Sequence, residues 1–242
     1  LSNLNEKQRE AVLAVEGPVM VFAGAGSGKT RTLTYRVAYM IDQKKIKPYH
    51  ILAITFTNKA TNEMKDRLLN LVGTDSYDVT ISTFHSLCAR ILRREIHLLG
   101  YERSFNIIDE DEQLKIVNEV LKENNIDKKQ YPGKHVQKKI NYCKCFNTKP
   151  DDPIEKKIMN LYEEKMKSLN LLDFEDLLLK IHEIFSSYPD VLNKYAHRYQ
   201  YILVDEFQDT NLIQYEIVKL LAKNNRNIFV VGDDDQSIYS FR

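Results

Sequence analysis

The chain has 242 residues, of which 43% are hydrophobic and 29% are charged, a composition typical of a soluble globular protein. Its length suits one domain with an insertion or two small domains. No apolar run approaches the roughly 20 residues needed to span a bilayer, and the N-terminal sequence LSNLNEKQRE lacks the apolar core of a signal peptide. Three cysteines, an odd number, indicate no disulfide framework. We therefore expect a cytoplasmic protein without a membrane segment.

Five short apolar runs predict buried strands. They are nearly continuous and rich in β-branched residues, as is typical of a parallel sheet covered on both faces. The runs are PVMVFA (18–23), HILAITF (50–56), DVTIST (78–83), YQYILV (199–204) and NIFVVG (227–232). Helical patterns follow most of them, for example TNKATNEMKDRLLNLV with apolar residues at three-and-four spacing. This alternation predicts an open α/β sheet with right-handed crossovers.

Each predicted strand is followed by polar residues. The strings are GAGSGKT, TNKA, FHS, DEFQDT and DDDQS, in chain order. Because ligands of open α/β sheets bind beyond the carboxyl ends of the strands, the five strand ends predict a single extended site.

The pattern between Gly100 and Tyr199 is different. Amphipathic helical patterns such as EDEQLKIVNEVLKENN, which Asp109 would cap, are separated by prolines. We expect a mostly helical insertion at residues 109–191, inside a domain made of residues 1–108 and 192–242.

The glycine-rich segment AGAGSGKT follows one predicted strand and opens a helix, the context of a phosphate-binding loop. Backbone N–H groups of the turn would surround the phosphates of ATP, with Lys29 on the β- and γ-phosphate oxygens and Thr30 as a ligand of Mg²⁺. The strict pattern has glycine where this chain has alanine at its first position. The predicted nucleotide-binding loop comprises Ala23, Gly24, Ala25, Gly26, Ser27, Gly28, Lys29 and Thr30.

Two acidic residues follow the strand YILV. Asp205 would hold Mg²⁺, directly or through water, and Glu206 would orient and deprotonate the attacking water. The alternative interpretation is that the two are ordinary exposed carboxylates in a loop.

A basic segment lies between Lys128 and Lys149, with seven lysines, no acidic residue, and Tyr131, Tyr142 and Phe146 interleaved. This combination suits a polyanion such as nucleic acid. A solvated lysine-rich face is the alternative. The pair Cys143 and Cys145 in the same segment, with His135 upstream, hints at zinc, but without a second ligand pair we favour ordinary thiols.

The ordered set AGAGSGKT, ILAITFTNKA, TISTFHSL, DEFQDTN and VGDDDQSIYSFR resembles the successive motifs of the UvrD/Rep/PcrA family of superfamily 1 DNA helicases. LNEKQREAV and LDFEDLL also resemble segments of that family. The resemblance implies an α/β P-loop NTPase fold, a RecA-like parallel sheet with helices on both faces plus an inserted mostly α-helical domain. It also implies ATP hydrolysis that drives 3′→5′ movement on single-stranded DNA and unwinding of duplexes. The chain is similar to the front half of such a helicase, so the second RecA-like domain, which supplies arginines to the γ-phosphate, would lie outside it.

The same resemblance implies three further nucleotide contacts. Gln8 is similar to the family glutamine that reads adenine, although Asn5 and Gln8 also have the spacing of a helix-capping box. Arg31 resembles an arginine that packs on the adenine face, with a solvated helix residue as the alternative. Gln236 resembles the sensor of the γ-phosphate, and a surface glutamine is its alternative.

The resemblance further places single-stranded DNA on seven residues at the strand ends. Aromatic side chains there would stack on bases, while Thr83 and His85 would bond phosphate oxygens. The alternative interpretation of Phe56 is that it is the last core residue of its strand. For His85 the alternative is a structural role. The candidates are Phe56, Asn58, Thr83, His85, Tyr239, Phe241 and Arg242, with phenylalanine at 241 where close relatives carry tryptophan.

The leading hypothesis is thus a DNA helicase of repair or replication that acts on single strands and on junctions of single- and double-stranded DNA. The alternatives are the helicase subunit of a helicase–nuclease, and an ATP- and DNA-binding module with negligible turnover. We expect the chain by itself to be monomeric and weakly active, because arginines supplied in trans are worth about 10³–10⁵ in rate in related enzymes.

Overall fold

A computed structural model describes residues 3–24 and 26–233 of the chain. Some of the predicted site residues lie outside the described residues, namely Ala25, Gln236, Tyr239, Phe241 and Arg242. None of the helices in the described part has the length and apolar character needed to cross a membrane.

Within the described residues the β-strands are β1 Val19–Phe22, β2 Ile51–Thr55, β3 Thr80–Thr83, β4 Asn106–Ile107, β5 Leu171–Leu172, β6 Tyr201–Val204 and β7 Ile228–Gly232. Five of them form one sheet in the order β1-β7-β6-β2-β3, and every neighbouring pair is parallel. Each of these five lies in one of the apolar runs, so the predicted α/β fold with a parallel sheet is confirmed. The sequence did not predict β4 and β5, since two residues are too few to show a period.

The helices of the described part are α1 Glu6–Leu13, α2 Lys29–Asp42, α3 Asn58–Val72, α4 Phe84–Glu95, α5 Glu110–Glu123, α6 Gly133–Phe146, α7 Pro153–Ser168, α8 Phe174–Ser187, α9 Pro189–Arg198 and α10 Leu212–Ala222. Local chemistry sets several starts. The Asp109 side chain accepts from the backbone N–H of Glu112, and the Glu112 side chain accepts from the backbone N–H of Asp109. The two hydrogen bonds form a complete capping box at the start of α5. Thr57 caps α3 by accepting from Ala60 N at 3.0 Å.

The centre of the sheet is buried on both faces. All five residues of β2 are buried, as are the last three of β6 and the middle three of β7. Leu33, Val37 and Met40 of α2 belong to the same hydrophobic cluster as Ile51 and Ala53 of β2. Burial on both faces explains why the sequences of β2, β6 and β7 are continuously apolar and do not alternate. The expectation of a buried strand is wrong for β1, which lies at the edge of the sheet with Met20 56% and Phe22 65% exposed.

A buried arginine ties α1 to α2. The guanidinium of Arg36 donates to the carbonyl oxygens of Ala11 at 2.6 Å and Val15 at 3.1 Å, and it lies 4.2 Å from the ring centroid of Phe229. Burial lowers the pKa of Arg36 to about 10. These contacts satisfy carbonyl groups at and just after the end of α1, where the helix offers them no partner, and they fix α1 beside α2.

The described residues fall into two compact units. The first includes those within Leu1–Ser86, Tyr188–Thr210 and Val218–Arg242, and the second comprises Leu87–Ser187 and Asn211–Ile217. The parallel sheet belongs to the first unit. The domain limits expected from the sequence, 109 and 191, differ from these bounds and stay a prediction about how the chain is organised.

The core of the second unit is formed by α5, α6 and α7. Val117 and Leu121 of α5, Ile140 of α6, and Ile158 and Tyr162 of α7 are all buried in one hydrophobic cluster. The apolar residues of the three helices recur at three-and-four spacing, so each helix buries one face and leaves the other to solvent.

A buried cluster of charges lies in this second unit. The Lys144 ammonium is 2.7 Å from Asp173, 2.8 Å from Asp176 and 2.7 Å from Glu163. Burial opposes the charge of Lys144, but the three carboxylates raise its pKa well above the usual value. Burial and the neighbouring Asp173 raise the pKa of Asp176 to about 7. Lys144 is one of the seven lysines of the basic segment that we expected to contact a polyanion, and its complete burial makes it unsuitable for that role.

Candidate nucleotide-binding site

The glycine-rich loop joins the end of β1 to the start of α2. Gly26 and Gly28 have φ values of +75° and +82°, in the left-handed region, and Gly28 directly precedes the first residue of α2. These two positions therefore require glycine. Ala23 is accommodated without a positive φ at 23 or 24, and its N–H donates to the carbonyl oxygen of Gly232 at 3.0 Å. The loop thus opens a helix whose free N–H groups are a site for an anion.

Lys29 lies between two carboxylates. Its ammonium is 3.0 Å from Glu206 Oε2 and 3.7 Å from Asp233 Oδ2, and its side chain is 10% exposed. Burial alone would lower the pKa of Lys29, but the hydrogen bond and charge of Glu206, with Asp233 and Asp205, raise it above the usual value. The lysine is therefore charged, and an incoming phosphate group has to compete with these carboxylates.

Thr30 and Asp205 meet at the end of β6. The Thr30 hydroxyl donates to Asp205 Oδ2 at 2.9 Å, and the other carboxylate oxygen accepts from the backbone N–H of Glu206 at 3.0 Å. Asp205 is buried, and burial raises its pKa. A hydroxyl and a carboxylate oxygen side by side are hard oxygen donors of the kind that Mg²⁺ prefers, with water and phosphate oxygens completing the shell. The donor set fits the metal that the sequence predicts.

Glu206 has a left-handed backbone conformation, with φ 47° and ψ 46°. This backbone geometry is uncommon for a glutamate. The Glu206 carboxylate contacts Lys29, which directly follows Gly28 of the glycine-rich loop. Its Oε2 atom accepts from Lys29 and also from Gln208 Nε2 at 2.7 Å. The Glu206 side chain is 38% exposed, so water can reach it.

Gln208 and Asp233, which are not among the predicted site residues, complete this arrangement. Gln208 Oε1 accepts from the backbone N–H of Asp233 at 3.0 Å, so one glutamine links Glu206 to the end of β7. A Cβ at Gly232 would lie 3.2 Å from Gln208 Oε1, which makes glycine the fitting residue there. A signal for Gln208 and Asp233 was available, because both lie in the polar strings DEFQDT and DDDQS that follow strands.

Gln8 contacts both the N-terminus of its own helix and the glycine-rich loop. With Asn5 it forms a complete capping box at α1, and its Nε2 donates to the carbonyl oxygen of Ser27 in the glycine-rich loop at 2.8 Å. The capping alternative is thus observed, and recognition of adenine stays a prediction. Arg31 is exposed, donates to the carbonyl oxygen of Asn3 at 2.9 Å and lies 5.6 Å from the ring centroid of Tyr35.

The DNA candidates in the described part lie at the ends of β2 and β3, which are neighbours with Thr55 opposite Thr83. Phe56 is half-buried, with its ring centroid 5.7 Å from that of the buried Phe84 in an edge arrangement, so it is neither a full core residue nor a free one. Asn58 is exposed and His85 is half-buried. The Thr83 hydroxyl accepts from Ser86 N at 3.2 Å and donates to the Ser86 hydroxyl at 3.0 Å, so it caps α4.

Comparison with known proteins gives a consistent result over the whole length. The family model described as UvrD/REP helicase N-terminal domain matches residues 4–242. The chain is 44% identical over 252 residues to proteins named ATP-dependent DNA helicase PcrA from Bacillus subtilis (strain 168), Staphylococcus epidermidis (strain ATCC 12228 / FDA PCI 1200) and Staphylococcus aureus (strain NCTC 8325 / PS 47). Each alignment covers 100% of this chain and 34–35% of the relative. The chain therefore spans about a third of the length of the curated relatives it matches.

Proposed function

The chain belongs to the UvrD/REP helicase N-terminal domain family, and on that premise we propose that it is the ATP-binding and DNA-binding part of an ATP-dependent DNA helicase. The observation that carries the proposal is the meeting of four side chains at one edge of the sheet. Lys29 and Thr30 come from the glycine-rich loop, Asp205 and Glu206 come from the end of β6, and the contacts between them are 2.9–3.0 Å.

Each of the four has a distinct task in this proposal. Lys29 binds the β- and γ-phosphates of ATP, and the loop N–H groups surround them. Thr30 and Asp205 hold Mg²⁺, which neutralises charge on the phosphate oxygens when it is bound. Glu206 orients the attacking water and takes its proton. Gln8 and Arg31 contact the adenine, and Gln236 senses the γ-phosphate.

Nucleotide binding changes the partner of Lys29. Before ATP binds, Glu206 Oε2 accepts from both Lys29 and Gln208. When the phosphates attract the ammonium, the carboxylate keeps Gln208 and becomes available to water. The general base is therefore restrained by a salt bridge until the substrate is present.

Single-stranded DNA lies across the strand ends in this proposal, on Phe56, Asn58, Thr83 and His85 together with Tyr239, Phe241 and Arg242. A second RecA-like domain completes the site for hydrolysis, and its closure moves the protein 3′→5′ along the strand at a single-strand/duplex junction. The location is the cytoplasm.

The test is binding and turnover by the chain in solution. We expect calorimetry to show ATP binding that requires Mg²⁺ and is weakened in Asp205→Asn, together with slow ATP hydrolysis that an oligothymidylate accelerates. Lys223→Ala, which removes an exposed lysine just after the end of α10, is the control and should bind like the wild type. Absence of ATP binding by the wild type would refute the proposal. Binding of both ligands without DNA-stimulated turnover would favour the alternative of a binding module.

A further inference from the structure

Helix α6 presents four exposed side chains at intervals of four residues: Lys134, Lys138, Tyr142 and Phe146. Residues four apart are neighbours on one face of a helix and are separated by about 6 Å along its axis. The four therefore form one stripe, which we call the α6 stripe, with two lysines at its amino end and two aromatic residues at its carboxyl end.

The aromatic half of the stripe is directed to solvent. Tyr142 is 57% exposed and Phe146 is 45% exposed, while Val136, Ile140 and Cys143 on the opposite face of the helix are buried. The rings of Tyr142 and Phe146 contact each other, with centroids 4.7 Å apart and planes tilted by 40°. Neither ring belongs to the hydrophobic cluster of the second unit. The two rings therefore form an exposed apolar platform, a feature that is typical of an interaction surface.

The charge of the stripe favours an anionic partner. Among the described residues, Glu155 of α7 is 3.9 Å from Lys139, so it compensates that flanking ammonium group, and it also lies 3.2 Å from the ring of His135. Within the described part of the chain, neither Lys134 nor Lys138 forms an ion pair, and residues 128–149 contain no acid. Two uncompensated ammonium groups next to two contacting rings match a ligand that alternates phosphates with flat bases.

We propose that the α6 stripe binds single-stranded DNA, with Tyr142 and Phe146 stacked on bases and Lys134 and Lys138 on phosphates. The ligand is a single strand because the base faces of a duplex are already covered by their neighbours. This inference rests on the proposed function for the class of ligand, and it adds a DNA contact in the second unit to those proposed for the strand-end residues of the first unit. The platform formed by Tyr142 and Phe146 would thus bind nucleic acid. Binding to a protein partner is the competing interpretation.

The chain contains no tryptophan, so a single introduced indole reports on its own surroundings. Tyr142→Trp places the reporter in the stripe, and Tyr77→Trp places it at a tyrosine that is 72% exposed in the first unit. The probes are an oligothymidylate of about 12 nucleotides, within the usual site size, and a duplex of equal length. We expect the single strand to quench the fluorescence of Tyr142→Trp saturably and the duplex to quench it little. Neither probe should change the fluorescence of Tyr77→Trp.

Two further variants test the roles within the stripe by fluorescence anisotropy. Phe146→Ala should lower single-strand affinity about tenfold with the salt slope preserved, since stacking is nearly independent of salt. The double variant Lys134→Ala/Lys138→Ala should reduce the slope of log affinity against log salt by about 1.4, because two phosphates lose their partners. All four side chains are exposed, so melting temperatures should match the wild type.

The outcomes separate this inference from the proposed function. Single-strand binding by the wild type without quenching in the Tyr142→Trp variant overturns the α6 stripe and leaves the helicase proposal standing. Equal quenching by duplex overturns the choice of a single strand. No DNA binding by the wild type overturns both, and the platform would then belong to a protein partner.

Discussion

Lys29 and Glu206 are 177 positions apart in the chain, and their side chains meet in a hydrogen-bonded ion pair of 3.0 Å. The contact joins the lysine that we propose binds phosphate to the proposed general base. In the proposed mechanism, a phosphate group that attracts the Lys29 ammonium frees the Glu206 carboxylate, so binding of the phosphate and freeing of the base are one exchange of partners.

Lys29→Ala should weaken ATP binding about 10- to 100-fold, because a charged hydrogen bond to phosphate is worth about 1.5–3 kcal/mol. Titration calorimetry measures the change, with Lys223→Ala as the matched control. An unchanged affinity in Lys29→Ala would remove the phosphate-loop assignment.

Glu206→Gln should reduce ATP turnover by about 10²–10⁴, the usual contribution of a general base. ATP affinity should be equal to that of the wild type or higher, since the variant no longer competes for the Lys29 ammonium with a negative charge. Turnover and equilibrium binding are measured on the same preparation. Retention of most of the wild-type rate would mean that another group activates the water.

Gln208→Leu should lower kcat about tenfold and leave the Kd for ATP nearly unchanged, because Gln208 contacts the base and the end of β7. Loss of the acceptor for the Asp233 N–H should cost about 1 kcal/mol of stability. A positioning role makes a further demand, since the variant should have no additional effect in a Glu206→Gln background. Additive losses would instead indicate a role independent of Glu206.

Lys144→Met should lower the free energy of unfolding by about 3–5 kcal/mol, because it removes the cation from three carboxylates in a buried cluster. Urea denaturation followed by circular dichroism measures it. Lys138→Met, which changes an exposed lysine on the same helix, is the control and should have little effect on stability. Similar midpoints for the two variants would contradict the proposed importance of the cluster.

Asp176 should make stability depend on pH. Its pKa is about 7 in the folded protein against a usual 3.8, so the folded state binds an extra proton between these values. The contribution of this group is therefore present below about pH 4 and is lost as the pH rises to about 7. Burial would raise the pKa of Asp173, but the charge of Lys144 lowers it below the usual 3.8. Asp173 therefore changes the pH dependence of stability only below about pH 4. Asp176→Asn should make the unfolding free energy fall less steeply over that range, and an unchanged slope would assign the titration elsewhere.

Much of this protein was predictable because its signals are local. The five strands of the sheet are recognisable as apolar runs, and the loop residues Gly26 and Gly28 stand out because a left-handed backbone needs glycine. The capping boxes at Asn5 and Asp109 depend on residues three positions apart. Such features involve neighbours in sequence, so composition and spacing are enough to predict them.

Only the tertiary structure decided which side chains from distant parts of the chain contact each other. Strand order brings Asp205 to Thr30 and Gln208 to the N–H of Asp233, contacts made across 175 and 25 positions of the chain. It also buried Lys144 among acids that the basic segment does not contain, while leaving Lys138 of the same helix in solvent. The physical reason is that a side chain's charge environment is set by burial and by partners from other elements, and neither is encoded in the spacing of one segment.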